Sequence, residues 1–312
     1  RLFTALENET RIILVGDVDQ LPSVAPGEVL NDLISSKEIT TIKLDKIHRQ
    51  AEDSTIISFA HSINQGIIPG NILEKSHDRN FIKMHDKDVI PNLLKVVQKA
   101  LESGMDLIKD IQILVPLYKG ELGINAINAK MQEEFNPKNG PEIKHSGRVF
   151  RVNDKVIQLV NRHEKKVMNG DIGYVLNFLY EDGDITGLTV MYDFGSVDYA
   201  KDELDDLTHA YAISIHKSQG SEFDLVILPF TFKYYIMLKR KLIYTAVTRA
   251  KKYLIMLGNI EALAMGIRGV EERRRTSLAS KISEQIATFE IDEFEFSSID
   301  ELENVSPYDF LD

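Results

Sequence analysis

Apolar and polar positions fall in blocks whose period switches along the chain. Residues 11–16, "RIILVG", carry four consecutive apolar side chains, Ile12 to Val15, closed by Gly16 and Asp17; this predicts a short strand buried in a parallel sheet, with Asp19 and Gln20 just beyond its carboxyl end. After a proline-containing turn, "GEVLNDLISS" spaces Val29, Leu30, Leu33 and Ile34 at helical intervals, and "ITTIKLD" returns to a β-rich run ending at Asp45. "DSTIISFAHSINQG" opens on an Asp53-Ser54 capping signal, sets Ile56, Phe59, Ala60 and Ile63 on one face and stops at Gly66. "PNLLKVVQKALESG" predicts a helix that starts at Pro91 and ends before Gly104. "IQILVP" then reads as a buried strand, and "GELGINAINAKMQEEF" as a helix bearing Ile124, Ile127 and Met131.

The same apolar runs resume late in the chain as "YAISI", "FDLVILPF" and "YLIML". Alternating strands and helices predict the α/β class with a doubly wound parallel sheet. Between these stretches, residues 148–205 change period. "DKVIQLVN", "DIGYVLNFL", "ITGLTVMYDF" and "SVDYAKDEL" are short strands broken by Asn169-Gly170 and Asp182-Gly183, a hairpin pattern that predicts a small antiparallel β-barrel inserted into the α/β domain. From Glu290 onward the chain is acidic with scattered aromatics, and a flexible tail is expected.

Composition narrows the class. The 312 residues suffice for two domains, and 43% hydrophobic with 27% charged residues is globular usage. No apolar stretch approaches the roughly 18 residues that span a bilayer, and residues 1–20 hold no secretory pattern, so no membrane partner is expected. With no cysteine there is neither a disulfide framework nor a thiolate metal site, which is compatible with the cytoplasm. The net charge of −11 is unevenly placed, because Ile282 to Asp312 hold ten Asp or Glu residues and no Lys or Arg. Exposed charges act over about 8 Å at physiological salt, so this tail does not exclude an anionic ligand elsewhere. Basic clusters stand at 239–241, 249–252 and 273–275, each equally readable as solvated helix surface.

Four segments carry candidate chemistry: "GDVDQLPSV" (16–24), "LDKIHRQ" (44–50), "YAISIHKSQGSEFD" (211–224) and "LIYTAVTRAKK" (242–252). Taken singly, each has a plain reading: Gln20 ends a strand, Arg49 pairs with an acid, "HKSQGSE" is a polar loop, and Arg249 is a surface charge. Together and in this order they resemble the later motifs of superfamily 1 helicases, in particular the RecD-like branch that moves 5′ to 3′ along single-stranded DNA. "VPLYKGELGINAINAKMQ", "NGDIGYV" and "VSPYDF" support the resemblance, which covers nearly the whole chain.

The resemblance implies a RecA-like parallel-sheet motor domain with an inserted small antiparallel β-barrel of the Src-homology type, plus a remnant of a first RecA-like domain. The expected boundaries are 1–46 for the remnant, 47–147 with 206–285 for the second motor domain, 148–205 for the barrel and 286–312 for the tail. It implies that Gln20 senses the γ-phosphate of ATP and that Arg49 and Arg249 act as arginine fingers. A transferring phosphoryl group spreads negative charge over its oxygens, and a guanidinium offers a rigid fork of donors to meet it. Gly220 and Glu222 would lie against the nucleotide's sugar, and His216, Lys217 and Ser218 would hold the DNA backbone. On the expected helix Tyr244 and Arg249 do not share a face, which lets Arg249 reach the cleft while Tyr244 and Val247 pack behind it. Tyr118 is readable either as a base-stacking platform or as core. Arg162, Lys165 and Lys166 are further DNA-contact candidates on the barrel.

One half of the ATP site is missing from the sequence. A phosphate-binding loop needs Gly-x-x-x-x-Gly-Lys-Ser/Thr, and the dipeptide Gly-Lys occurs nowhere. No acidic pair follows an apolar strand to hold Mg²⁺, and no Asp, Glu and His cluster stands at metal-ligand spacing. The expectation is therefore the C-terminal part of an ATP-dependent helicase. Its main ligands for ATP and Mg²⁺ would lie in preceding polypeptide, in keeping with a start at Arg1 rather than Met. Its partners would be single-stranded DNA, single-strand/duplex junctions and DNA-repair proteins. The alternative is a non-catalytic module that binds single-stranded nucleic acid.

Overall fold

The computed structural model describes residues 3–7, 10–44, 53–270 and 274–286. The expected tail (286–312), apart from Ile286, and "DKIHRQ" with Arg49 lie outside them. Helices α1–α7 and strands β1–β12 are numbered along the chain. Two compact units are present, one of Arg1–Val18, Pro22–Leu44 and Arg273–Asp312, the other of Asp19–Leu21 and Asp45–Glu272.

In the smaller unit, α1 (Val29–Ser36) packs against α7 (Leu278–Ile286). Arg274 donates to the carbonyls of Ala25 and Gly27 at 2.6 and 2.9 Å, and the Thr276 hydroxyl donates to the buried Asp32 carboxylate at 2.7 Å. The two strands predicted at 11–16 and 39–45 do not form over their described residues. Ile13 is 77% exposed and Val15 87%, while Ile42 and Leu44 are 70% and 82% exposed. An apolar run becomes a buried parallel strand only when neighbours satisfy its amides and cover its faces. Among the described residues no strand pairs with either segment.

The larger unit is built on a parallel sheet ordered β1-β12-β11-β2-β10. The strands are β1 (Arg79–Lys83), β2 (Ile111–Val115), β10 (Ala212–Ser214), β11 (Phe223–Phe230) and β12 (Ala250–Gly258). All five residues of β2 are buried, as expected for a central strand covered on both faces. The wholly buried Gln112 side chain donates to the carbonyls of Ala210 and Tyr211 at 3.0 and 3.1 Å, pinning the lead-in to β10.

The helices follow the apolar periodicity, with two shifts. α2 (Thr55–Asn64) is capped by Ser54 as predicted, and the buried Asp78 carboxylate reinforces that cap. Asp78 accepts from the Ser54 hydroxyl at 2.7 Å, from the Thr55 amide at 2.9 Å and from the Thr55 hydroxyl. Burial pushes the Asp78 carboxyl up, but the Thr55 and Ser54 hydrogen bonds outweigh it and hold it below the usual carboxylate range. α3 (Asp86–Glu102) starts a turn and more before Pro91, which falls inside it. Asp86 and Asp88 favour the earlier start through the helix dipole, and Pro91 forfeits only the bond to Lys87. Its end is as predicted: Gly104 takes φ +93°, and Gly104 and Met105 donate back to Leu101 and Ala100. α4 (Ile124–Phe135) begins after a tight turn whose Gly123 is obligatory, since a Cβ there would sit 2.5 Å from the Lys119 carbonyl oxygen. α5 (Arg240–Val247) ends two residues before Arg249, so Arg249 lies in the turn just before β12 and is not a helix residue; α6 (Ile260–Arg268) follows β12.

The inserted β region carries a β3–β4 hairpin (Ile143–His145, Arg148–Phe150) and an antiparallel sheet ordered β8-β7-β6-β5-β9. These strands are β5 (Lys155–Gln158), β6 (Ile172–Glu181), β7 (Asp184–Tyr192), β8 (Gly195–Ala200) and β9 (Leu207–His209). The Asp182-Gly183 turn takes positive φ at both residues, 50° and 88°, the geometry that matches strand twist in a two-residue hairpin. Phe150, Val156, Val175, Leu188, Val190 and Tyr199 form its core.

Two buried ionisable residues fasten this insert to the parallel sheet. Asp154 accepts from Gln132 Nε2 at 2.6 Å, Asn136 Nδ2 and the Arg151 amide at 2.7 Å, and the Tyr211 hydroxyl at 2.9 Å, with His209 Nε2 at 3.3 Å. Lys155, also fully buried, donates through Nζ to the Ile111 and Leu107 carbonyls at 2.8 and 3.3 Å. Burial pulls the Lys155 ammonium down to about 7, and attraction from Asp106 and Asp110 only partly opposes it. The folded chain thus binds fewer protons than the unfolded chain between pH 7 and the ordinary lysine range. Its stability should rise with pH across that window. Urea unfolding from pH 7 to 9 should show a slope that Lys155→Met flattens by about 1 kcal/mol per pH unit. An identical slope in both proteins would refute the buried-ammonium assignment.

Among the described residues no helix is long and apolar enough to cross a membrane, and no group of His, Asp or Glu could hold a metal ion.

Candidate functional site

The tripeptide Asp19-Gln20-Leu21 belongs to the larger unit and is held there by side chains from four places. Asn64, at the end of α2, donates to the Asp19 carboxylate at 2.6 Å. The Leu21 amide donates to the Thr245 hydroxyl of α5 at 2.8 Å, and the Leu21 carbonyl accepts from Gln219 Nε2 at 2.7 Å. Gln20 Oε1 accepts from Arg249 Nη2 at 3.2 Å across 229 positions of sequence.

Arg249 is the centre of this cluster. Only 2% exposed, it donates through Nε to the Thr245 carbonyl at 3.2 Å, through Nη1 to the Ser221 carbonyl at 3.0 Å, and through Nη2 to Gln20 and the Thr248 hydroxyl. A guanidinium with so little water is held in place by oxygen atoms on three sides. Phe223 pairs with Ala250 in the sheet, so Ser221 and Arg249 sit at the amino ends of β11 and β12. Gly220 is exposed with φ +83°, and Glu222 is exposed beside it. The structure therefore brings Gln20 and Arg249 together, with Ser221 of the Gly220–Glu222 loop in contact.

The nucleic-acid candidates occupy another part of the sheet. Ser214 pairs with Val115, so the segments that follow, 215–218 and 116–123, leave the carboxyl ends of neighbouring strands β10 and β2. His216 and Lys217 are half-buried, and burial lowers both of their proton affinities. Lys217 Nζ donates to Asn169 Oδ1 of the insert at 3.0 Å. Ser218 is fully buried and spends its hydroxyl on the Ile215 carbonyl at 2.8 Å. Tyr118 is 49% exposed, which overturns the core reading. On the insert, Arg162 is tied to Asp206 at 2.6 Å and Lys165 to Glu203 at 2.5 Å, so both charges have acidic partners within the fold.

Sequence reasoning missed Thr245, Gln219 and Asn64 as holders of the tripeptide. Thr245 and Gln219 stand inside the quoted motifs, where attention falls on the charged neighbours; nothing in the pattern around Asn64 marks it.

Residues 209–257 match the UvrD-like helicase C-terminal domain family, residues 127–192 the SH3 domain family of ATP-dependent RecD-like DNA helicases, and residues 1–87 an AAA domain family. The chain is 31% identical over 281 residues to the ATP-dependent RecD2 DNA helicase of Deinococcus radiodurans, covering 90% of this chain and 37% of that protein. It is 29% identical to the RecBCD enzyme subunit RecD of Mycolicibacterium smegmatis, covering 88% of this chain and 51% of that one. A solved Pif1 helicase from Bacteroides, in complex with ADP-AlF3 and single-stranded DNA, aligns at 20% identity and a TM-score of 0.42, over 88% of this chain and 66% of that one. The chain thus spans about half or less of the curated relatives' length. Its parallel sheet and SH3-type insert, with these matches, define a RecA-like motor fold of the superfamily 1 helicase class. Within that class, the chain is similar to RecD-like helicases over most of its length.

Proposed function

We propose that the chain is the C-terminal part of an ATP-dependent DNA helicase that couples ATP hydrolysis to 5′-to-3′ movement on single-stranded DNA, acting in the cytoplasm. The carrying observation is the buried Arg249 guanidinium against Gln20. A cation and an amide placed together suit the outermost phosphate of ATP, where charge develops during transfer. The Gln20–Arg249 pair supplies one wall of that site, Gly220 and Glu222 face the rest of the nucleotide, and Arg49 is assigned a second arginine-finger role by its motif. The residues present fit only part of a nucleotide. With no Gly-Lys in the chain, the phosphate-binding loop and the Mg²⁺ ligands are assigned to preceding polypeptide.

His216, Lys217 and the exposed Tyr118, on adjacent strand ends, form the DNA-facing surface of this reading. Backbone phosphates would meet the first two and a base the third. Single-strand/duplex junctions and repair proteins are the further partners it suggests.

The purified chain by itself should hydrolyse ATP no faster than background, with or without single-stranded DNA, in a phosphate-release assay. DNA-stimulated turnover by the chain alone would refute the assignment of the phosphate loop to other polypeptide.

A further inference from the structure

Gln219 closely follows the DNA-facing candidates His216 and Lys217, with only the buried Ser218 between, and its side chain grips the residue after Gln20. Segment 215–218 is a single 3₁₀ turn locked at both ends. The Lys217 amide donates to Ser214 Oγ at 3.3 Å, and Ser218 Oγ donates to the Ile215 carbonyl at 2.8 Å. The loop's conformational freedom lies just past Gln219, at Gly220 with φ +83° and open space around its Cα. A displacement of the turn therefore reaches Gln219 before any joint can absorb it.

From Gln219 the contacts run without a gap. Nε2 holds the Leu21 carbonyl at 2.7 Å, and the Leu21 amide is held by the Thr245 hydroxyl at 2.8 Å. The Thr245 carbonyl in turn accepts from Arg249 Nε at 3.2 Å, and Arg249 Nη2 reaches Gln20 Oε1. Both backbone groups of Leu21 are thus clamped, and the clamp sets where the Gln20 side chain stands relative to Arg249. Coupling of this kind needs a connected element that both ligands bias, and here it is a run of four contacts through five residues.

We propose that Gln219 and Thr245 are positioning residues that convey occupancy of the 216–218 segment by single-stranded DNA to the Gln20–Arg249 pair. This rests on the helicase reading above.

The test uses the full-length protein that contains this chain, an oligo-dT strand as probe, and the ratio of DNA-stimulated to unstimulated ATP turnover. Gln219→Ala and Thr245→Val should each lower that ratio about tenfold, a coupling of ordinary size. The Kd for oligo-dT, read by fluorescence anisotropy, should stay within about threefold of the parent. Thr245→Ser, which keeps the hydroxyl, should retain the ratio. Unchanged ratios in Gln219→Ala and Thr245→Val overturn the proposal, as does equal loss in Thr245→Ser and Thr245→Val, which marks a packing effect, or a loss of DNA affinity that matches the loss of stimulation. A parent protein whose turnover is not stimulated by DNA overturns the helicase reading as well, so the two failures are separable.

Discussion

Arg249→Ala in the full-length protein should lower DNA-stimulated ATP turnover by about 10³-fold or more, the range expected when an arginine finger is removed. Nucleotide affinity should change far less, because the loss falls on charge that develops in the transition state and not on ground-state binding. Arg249→Lys should recover little: a lysine ammonium cannot engage Gln20, Ser221 and Thr245 at once as the guanidinium does. Steady-state turnover alongside equilibrium binding of a fluorescent ATP analogue separates the two effects. Near-parental turnover in Arg249→Ala would remove the main support for a nucleotide-facing role. The variant also leaves the Thr245 and Ser221 carbonyls without their donor, so its folding should be checked by urea unfolding before its rate is interpreted.

The second large effect is on stability. Asp154→Ala should destabilise the chain by about 3–5 kcal/mol, since it strips the shared acceptor from a buried cluster. Gln132, Asn136, Tyr211 and the Arg151 amide would all lose their bond to it. Asp154→Asn keeps the shape but turns one acceptor oxygen into a donor facing other donors, so it should recover only part of the loss. Urea denaturation monitored by circular dichroism measures both. A cost below about 1 kcal/mol for Asp154→Ala, the size of one ordinary hydrogen bond, would show that the cluster is not a structural anchor.

What could be read from the sequence was whatever local pattern alone decides. The central strands β2, β11 and β12, the capped start of α2, the glycine-terminated end of α3 and the Asp182-Gly183 hairpin all follow from period, caps and turn residues. Segments 11–16 and 39–45 failed because an apolar run states a need for cover and cannot state whether the cover is there. "YTAVTRAKK" has no breaker and so predicts a helix through Arg249; in the structure the helix ends at Val247, where the chain turns to let β12 pair with β11. The burial of Asp154 and Lys155 is not legible in the strand pattern of "DKVIQLVN", because the groups that hold them, Gln132, Tyr211, Leu107 and Ile111, lie elsewhere along the chain. At the site, the motif resemblance named Gln20 and Arg249, and the structure brought them within hydrogen-bonding distance. Neither Thr245 nor Gln219 could be assigned its task without knowing that Leu21 lies between them.

Only Ala210 and Tyr211 separate the last strand of the insert from the first residue of β10, and the first strand of its five-stranded sheet begins at Lys155, just after Asp154; the partners of these two include Gln132 of α4 and Ile111 at the start of β2. The small β region is therefore not an interchangeable cartridge. A lineage that traded it for another would have to carry along the end of α4 and the root of the neighbouring sheet. Such modules should be inherited together with their host core, and drift in sequence as a pair.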